Sequence, residues 1–597
     1  MTTTDNAAGQ EVEKLTYNIQ RIEELSSRLA SALSNKKPLN SALQAPGGDL
    51  FMKAMSAYWA EMASNPTKIL ENQLELWGKS LQLYADAQKV ISQGNFETPE
   101  IEMPTDRRFS NPMWKTNPYF NMIMRQYLSN SESIRDAVEE IETMEPIEKR
   151  RLRYFTDQII NMMAPTNFFG TNPDALERAV ETEGESLVKG LENLITDLEA
   201  NDGELLVKLA DEGAFEIGKN IATTPGKVVY RNRMYELVQF TPKTETVHEV
   251  PLLIFPPWIN KYYILDLKEK NSMIKWLVDQ GYTVFVVSWV NPDTSYSETS
   301  MESYIEEGFL SAIDQTKAIS KQPKVNVVGY CIAGTTLHLT LALMKKRKDK
   351  SVKSATFFTT LTDFSDQGEF TPFLQQDFVD GIESEVEAKG ILYSRIMSRT
   401  FSFLRSNDLV YGPAIRSYML GEAPPAFDLL YWNGDGANLP GKMVTQYLRK
   451  LCQRNEFAEG GVEFFGEKLS LSDVDVPLMS VTAETDHIAA WKDCYRGFQQ
   501  TGSKNRSFIV SESGHIAGIV NPPSKDKYGH YTNDDLSLSA DDWLAQADFH
   551  KGSWWPLWEK WLNGRSGKMV PAPDFGDSDH PVICDAPGTY VMVKAPQ

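Results

Sequence analysis

The chain has 597 residues, 41% hydrophobic and 24% charged, with 60 Lys and Arg against 81 Asp and Glu for a formal charge of −21. That length exceeds one typical domain and predicts two or three. The acidic balance excludes nucleic acid or an anionic membrane surface as the main partner, because both reward clustered Lys and Arg. The four cysteines, Cys331, Cys452, Cys494 and Cys584, have neither metal-ligand nor disulfide spacing, which fits a reducing compartment and predicts no metal site. Residues 1–10 are polar without a basic stretch leading into an apolar one, and no apolar run is long enough to span a bilayer, so a cytoplasmic protein without a membrane span is expected.

Residues 1–45 are polar and contain Lys36-Lys37-Pro38, with Pro46-Gly47-Gly48 just beyond. They read as a flexible segment with a frayed or loosely docked helix. From 46 to 217 helical periodicity defines an N-terminal helical domain. Leu50 to Ile91 sets Phe51, Met55, Tyr58, Trp59 and Met62, then Leu74, Trp77, Leu81 and Tyr84, at amphipathic spacing, and further helices are predicted over 119–128, 132–143, 147–163 and 173–198.

Near Gly218 the period changes, and residues 218–597 are expected to form an α/β-hydrolase catalytic domain. Segments 227–230 and 235–240 read as an antiparallel pair, and 250–255, 283–288, 324–328 and 355–360 as buried strands alternating with helices. From 361 to 471 that alternation stops and Phe, Tyr, Trp and Leu are frequent, which predicts a cap inserted between core strands. Segments 476–483 and 507–510 resume the sheet.

The chemistry concentrates at strand ends. Gly329-Tyr330-Cys331-Ile332-Ala333-Gly334 follows a strand and opens an apolar helical run, the arrangement of a nucleophile elbow with sulfur in place of the usual oxygen. Small residues at 329, 333 and 334 let the helix pack on the strand it has just left. A thiolate is both a strong nucleophile toward thioesters and a good leaving group, so a covalent acyl enzyme that passes its acyl group onward is expected. Asp486 and His515 each follow a predicted strand, in the order nucleophile, acid, His. Strand carboxyl ends are where such groups collect in open α/β sheets, so Cys331, Asp486 and His515 form the expected catalytic set. The loop Pro256-Pro257-Trp258-Ile259 occupies the oxyanion position. Its prolines have no N–H to give, which leaves the backbone of Trp258 or Ile259, paired with Ile332, as the expected donors. Bland readings accompany these: His338 and His487 as packing residues, and Trp554, Trp555, Trp558 and Trp561 as the core face of a final helix rather than a polymer-binding surface.

Together these residues resemble the polyhydroxyalkanoate synthases, most closely the class I type that makes poly(3-hydroxybutyrate). Besides the box around Cys331, the resemblance rests on Asp106-Arg107-Arg108-Phe109 with Asn111-Pro112 and Trp114, on 256–267, and on Ser288-Trp289 with Asn291-Pro292-Asp293. It continues in Asn407-Asp408-Leu409-Val410, 427–433 and 513–518. It implies polymerisation of (R)-3-hydroxyacyl-CoA with release of coenzyme A, the thioester being substrate rather than a permanently bound cofactor. It also implies a growing polyester chain and granule surface as partners, a homodimer, and further granule-associated proteins. Ala333 replaces the first of two glycines usual in the box, and Ser406 stands where a proline commonly precedes Asn-Asp. Tyr330 is nearer the class I box and favours short 3-hydroxyacyl units. A hydrolase, esterase or depolymerase, and a non-catalytic granule scaffold are the competing readings.

Overall fold

The computed structural model describes residues 4–34, 104–141, 144–201, 203–366 and 368–595. The helices expected over Leu50 to Ile91 lie outside the described residues. Of the described residues, those up to Leu209 with Arg399–Pro425 form one compact unit, and Ala210–Ser398 with the chain from Ala426 onward form the other.

The first unit is helical. Residues expected to hold at most a loosely docked helix form one of 31 residues, Thr4–Ser34. Its Leu25 is buried with Val188 and Ile195, and Arg21 and Arg28 pair with Glu192 and Glu199 on the helix Glu185–Ala200. The stretches 119–128 and 132–143 prove to be parts of one helix, Pro118–Glu139, opened by Asn117, whose side chain accepts the Tyr119 N–H. Conversely, the single helix expected over 173–198 is broken into Pro173–Glu181 and Glu185–Ala200. The break is at Glu183 and Gly184, with φ of 54° and 84°, left-handed values that a helix cannot continue through. In the same unit Arg108 ties Asp106 to Asn407, bonding Asp106 at 2.7 Å and Asn407 at 3.2 Å, so two distant family motifs meet.

The second unit is built on a sheet of eleven strands. In chain order these are β1 Gly226–Arg231, β2 Tyr235–Phe240, β3 Leu252–Phe255, β4 Val284–Trp289, β5 Val325–Tyr330 and β6 Val352–Phe358. They continue with β7 Leu478–Ala483, β8 Arg506–Ser511, β9 His530–Thr532, β10 Asp548–His550 and β11 Cys584–Asp585. The spatial order is β10-β9-β8-β7-β6-β5-β3-β4-β2-β1-β11. The central strands β4, β3, β5, β6, β7 and β8 run parallel to their neighbours, and β2, β1, β9, β10 and β11 add antiparallel margins. Every residue of β3, β4, β5 and β7 is buried, as parallel strands covered on both faces require. The chain order of the parallel strands, with helices between them and His515 after β8, is that of an α/β-hydrolase fold.

None of the described residues in 361–471 joins this sheet. They form helices, a short pair of Ile391–Leu392 with Leu439–Pro440, and a hairpin of Val462–Phe464 with Glu467–Leu469. That range divides between the units, because Arg399–Pro425 belongs to the first.

Candidate active site

Strand β5 runs through Tyr330 and ends at Cys331, which caps the helix Ile332–Lys346 with φ 54° and ψ −126°. This backbone region is strained for any residue with a Cβ, at about 1–3 kcal/mol, and such strain collects at functional turns. The turn is held from both sides: Cys331 N–H donates to Phe358 O at 2.8 Å, and Gly334 N–H to Cys331 O at 2.8 Å. The small residues have measurable reasons. A Cβ on Gly329 would stand 2.7 Å from the Gly334 Cα, and one on Gly334 would stand 2.0 Å from Thr360 Oγ1. Ala333 is fully buried, so its single methyl fits where the family box has glycine.

His515 lies on the loop after β8. Its Nδ1–H donates to Asp486 Oδ2 at 2.7 Å, and Asp486 Oδ1 accepts the N–H groups of Ile488 and Ala489 at 2.8 and 2.9 Å. Asp486 and His515 are both buried. Burial alone lowers the pKa of the imidazole, but the charges of Asp486 and Cys331 and hydrogen bonds to both raise it, to about 10. A low-dielectric site strengthens such charge interactions. The structure therefore brings Cys331, His515 and Asp486 together at the carboxyl ends of β5, β8 and β7.

The loop after β3 presses against the elbow helix. Trp258 is buried, and its indole N–H donates to Thr336 Oγ1 at 3.2 Å, while Trp289 Nε1 donates to Pro256 O at 2.8 Å. Among the described residues the backbone N–H groups of Trp258, Ile259 and Ile332 make no hydrogen bond, so each is free to donate to a bound oxygen.

Four further residues around the site were not found as such from the sequence. The Tyr330 hydroxyl donates to His515 O at 3.3 Å, and its ring stacks on the imidazole with centroids 6.0 Å apart. Trp554 and Trp555 donate to Gly518 O and Ile519 O at 2.8 and 2.9 Å, fixing the far end of the His515 loop. Both are buried, with Trp558, so the tryptophan cluster is core. Tyr447 meets Trp258 edge-on at 5.7 Å, and burial, reinforced by Cys452 and Cys331, keeps its hydroxyl protonated. The periodicity of 554–562 was the one available signal, and it indicated burial rather than a bond to the His515 loop. His338 is structural: it stacks on Phe357 at 3.6 Å, its Nδ1 bonds Gly334 O at 2.8 Å, and burial pushes its pKa down to about 4. Among the described residues no cluster of His, Cys, Asp or Glu could hold a metal, and no helix is long and apolar enough to cross a membrane.

Sheet order, elbow strain and the buried Asp–His pair define an α/β-hydrolase-fold enzyme, and residues 251–522 match the alpha/beta hydrolase fold model. Residues 105–277 match a second model, described as the N-terminus of poly-beta-hydroxybutyrate polymerase (PhaC). The chain is 37% identical to a poly(3-hydroxyalkanoate) polymerase of Methylorubrum extorquens, over 99% of both chains. It is 36% identical to a poly(3-hydroxyalkanoate) polymerase subunit PhaC of Rhizobium meliloti over 98% of this chain and 95% of the relative. With the subunit PhaC of Cupriavidus necator it shares 39% identity over 82% of this chain and 83% of the relative. The chain belongs to the poly(3-hydroxyalkanoate) polymerase family.

Proposed function

We propose that this protein polymerises (R)-3-hydroxyacyl-CoA, with 3-hydroxybutyryl-CoA as the favoured unit, into polyester through an acyl group carried on Cys331. The observation that carries this reading is a cysteine in the strained elbow position, beside an imidazole bonded at 2.7 Å to a buried carboxylate. The names of its relatives supply the class of polymer.

In the first half-reaction, with the proton of Cys331 held on His515, Sγ attacks the thioester carbonyl. The carbonyl oxygen becomes an oxyanion held by backbone N–H groups at Ile332 and at Trp258 or Ile259. The carbon–sulfur bond to coenzyme A then breaks, and His515 returns the proton to the departing thiolate, giving acyl-Cys331 and free coenzyme A. In the second, His515 takes the proton of a 3-hydroxyl, whose oxygen attacks the acyl thioester. The ester bond forms, the bond to Cys331 Sγ breaks, and the sulfur recovers its proton. Asp486 holds the imidazole in the tautomer with Nε2 toward the chemistry and stabilises its cation.

A polyester product would accumulate as granules in the cytoplasm, with the enzyme at their surface. Purified protein given (R)-3-hydroxybutyryl-CoA should release free thiol in step with rising turbidity. Thiol release accompanied by soluble 3-hydroxybutyrate in place of polymer would replace this reading with a hydrolase.

A further inference from the structure

The loops at the carboxyl edge of the sheet carry a second group of charges that the chemistry at Cys331 does not use. Two tripeptides of the form Lys-acid-Lys, Lys268-Glu269-Lys270 and Lys525-Asp526-Lys527, belong to segments far apart in sequence. The first follows the turn Tyr262–Asp266, just beyond the Trp258 loop. The second lies on the chain running from His515 to β9. Ser511 at the end of β8 pairs with His530 at the start of β9. Glu512 N–H donates to Gly529 O at 2.9 Å, and Gly529 N–H returns a bond to Glu512 Oε2 at 2.5 Å. The lysine-bearing loop is thereby tied beside the loop that holds His515.

In each tripeptide the acid pairs with a different lysine: Glu269 lies 3.9 Å from Lys275 Nζ, and Asp526 lies 3.6 Å from Lys551 Nζ. Lys268 pairs instead with Asp428, the first residue of the helix Asp428–Gly434, and Lys525 lies within electrostatic reach of Asp428, Lys270 and Lys527. Lys268 Nζ is 3.3 Å from Asp428 Oδ2. Partial desolvation lowers the Lys525 pKa, Asp428 opposes this, and Lys270 and Lys527 lower it further, as neighbouring cations do. Lys527 Nζ sits 4.6 Å from the centre of the Tyr528 ring. The Tyr528 hydroxyl has its pKa held down chiefly by Lys527, and Ser513, two residues before His515, lowers it further. A chain of net charge −21 thus sets two lysine tripeptides on loops at the carboxyl edge of the sheet that carries its candidate nucleophile, with Lys525 within electrostatic reach of Lys270 and Lys527.

We propose that Lys268, Lys270, Lys525 and Lys527 form the binding site for the phosphate groups of the thiol carrier, with the thioester end of the same molecule reaching Cys331. Resting on the function proposed above, this assigns residues to the coenzyme A end of the substrate. Ammonium groups bind phosphate as point charges and raise the local concentration of a polyanion before it docks. A protein with a strongly negative overall field has particular use for such a cluster.

The test compares two thioesters in a Lys525→Glu, Lys527→Glu variant, both positions being exposed. With (R)-3-hydroxybutyryl-CoA, KM should rise about tenfold while kcat stays within about twofold, as expected when rim charges are reversed. With the N-acetylcysteamine thioester of the same acid, which has no phosphate, KM should not move, and added Lys270→Glu should enlarge only the first effect. An equal rise for both thioesters, or none for either, overturns the site. Calorimetry with coenzyme A itself reads the site without turnover. If wild type binds coenzyme A and the variant does not, the site stands even where no polymer forms, and only the function above fails. Equal affinity in both proteins, or inorganic diphosphate binding wild type as tightly as coenzyme A, overturns the assignment to the carrier.

Discussion

Asp486 is held at both carboxylate oxygens, one by the His515 ring and the other by the N–H groups of Ile488 and Ala489. An Asp486→Asn side chain keeping its oxygen on the two N–H groups must turn its amide nitrogen toward His515. A donor there forces the imidazole proton onto Nε2, the wrong tautomer for accepting a proton from Cys331. The loss in coenzyme A release should be about 10⁴-fold, as for the same substitution in a Ser-His-Asp set, with the fold intact by circular dichroism. Activity within tenfold of wild type would remove His515 from the role of base.

Cys331→Ala should abolish both coenzyme A release and any thioester-linked acyl peptide. Cys331→Ser should lose polymerisation and keep at most slow acylation or hydrolysis, because an oxygen ester has a poorer leaving group. Mass spectrometry places the acyl group: a label on Cys452, Cys494 or Cys584 would contradict the assignment. Cys452 and Cys494 are buried, and burial pushes both thiols well above their usual range, which makes them poor nucleophiles.

The elbow, Asp486 and His515 were legible in sequence because each is announced locally, by a buried strand running into a turn of recognisable residues. Tyr330 and Trp554 were not legible as positioning groups, since their bonds to the His515 loop depend on which strands and helices become neighbours. The same holds for the two lysine tripeptides, which look like solvated surface until the fold sets Lys525 within electrostatic reach of Asp428 and Lys270. Hydrophobic period also failed to place helix breaks: it missed the reversal at Glu183-Gly184 and put one between 128 and 132 where none exists, since no proline stands at either point to decide the matter. Strands β9, β10 and β11 are each three residues or fewer, too short for an alternating pattern, and pair only because a longer edge is already there.

Gly334 tests the packing of the elbow. Gly334→Ala places a methyl 2.0 Å from Thr360 Oγ1 and 2.7 Å from its Cγ2, so something must shift, at about 1–3 kcal/mol for overpacking in a rigid core. Because the strain lies at the start of the nucleophile's helix, activity should fall with stability. Adding Thr360→Ala removes the two closest of the three clashing atoms, leaving Cβ at 2.9 Å, and should restore part of each, as followed by urea unfolding and coenzyme A release. No change in either measurement on making Gly334→Ala alone would refute the close approach.

The His515 proton is linked to folding, with a definite sign. Its pKa is about 10 in the folded protein against an ordinary value of 6.5, so folding favours the protonated ring. The stability this supplies is complete below the unfolded pKa and disappears as pH climbs through the folded one. Wild type should therefore lose stability between pH 7 and 10 relative to His515→Gln, which has no proton to lose. In Cys331→Ala the sulfur's contribution is gone while Asp486 remains. The His515 pKa should then fall below its wild-type value, and the decline should begin at lower pH. Urea midpoints across this range for the three proteins, with the His515 ring followed by NMR, measure both effects. Parallel pH profiles for wild type and His515→Gln would mean that His515 carries no raised pKa, and a proton resting on the ring beside Cys331 at neutral pH would have to be abandoned.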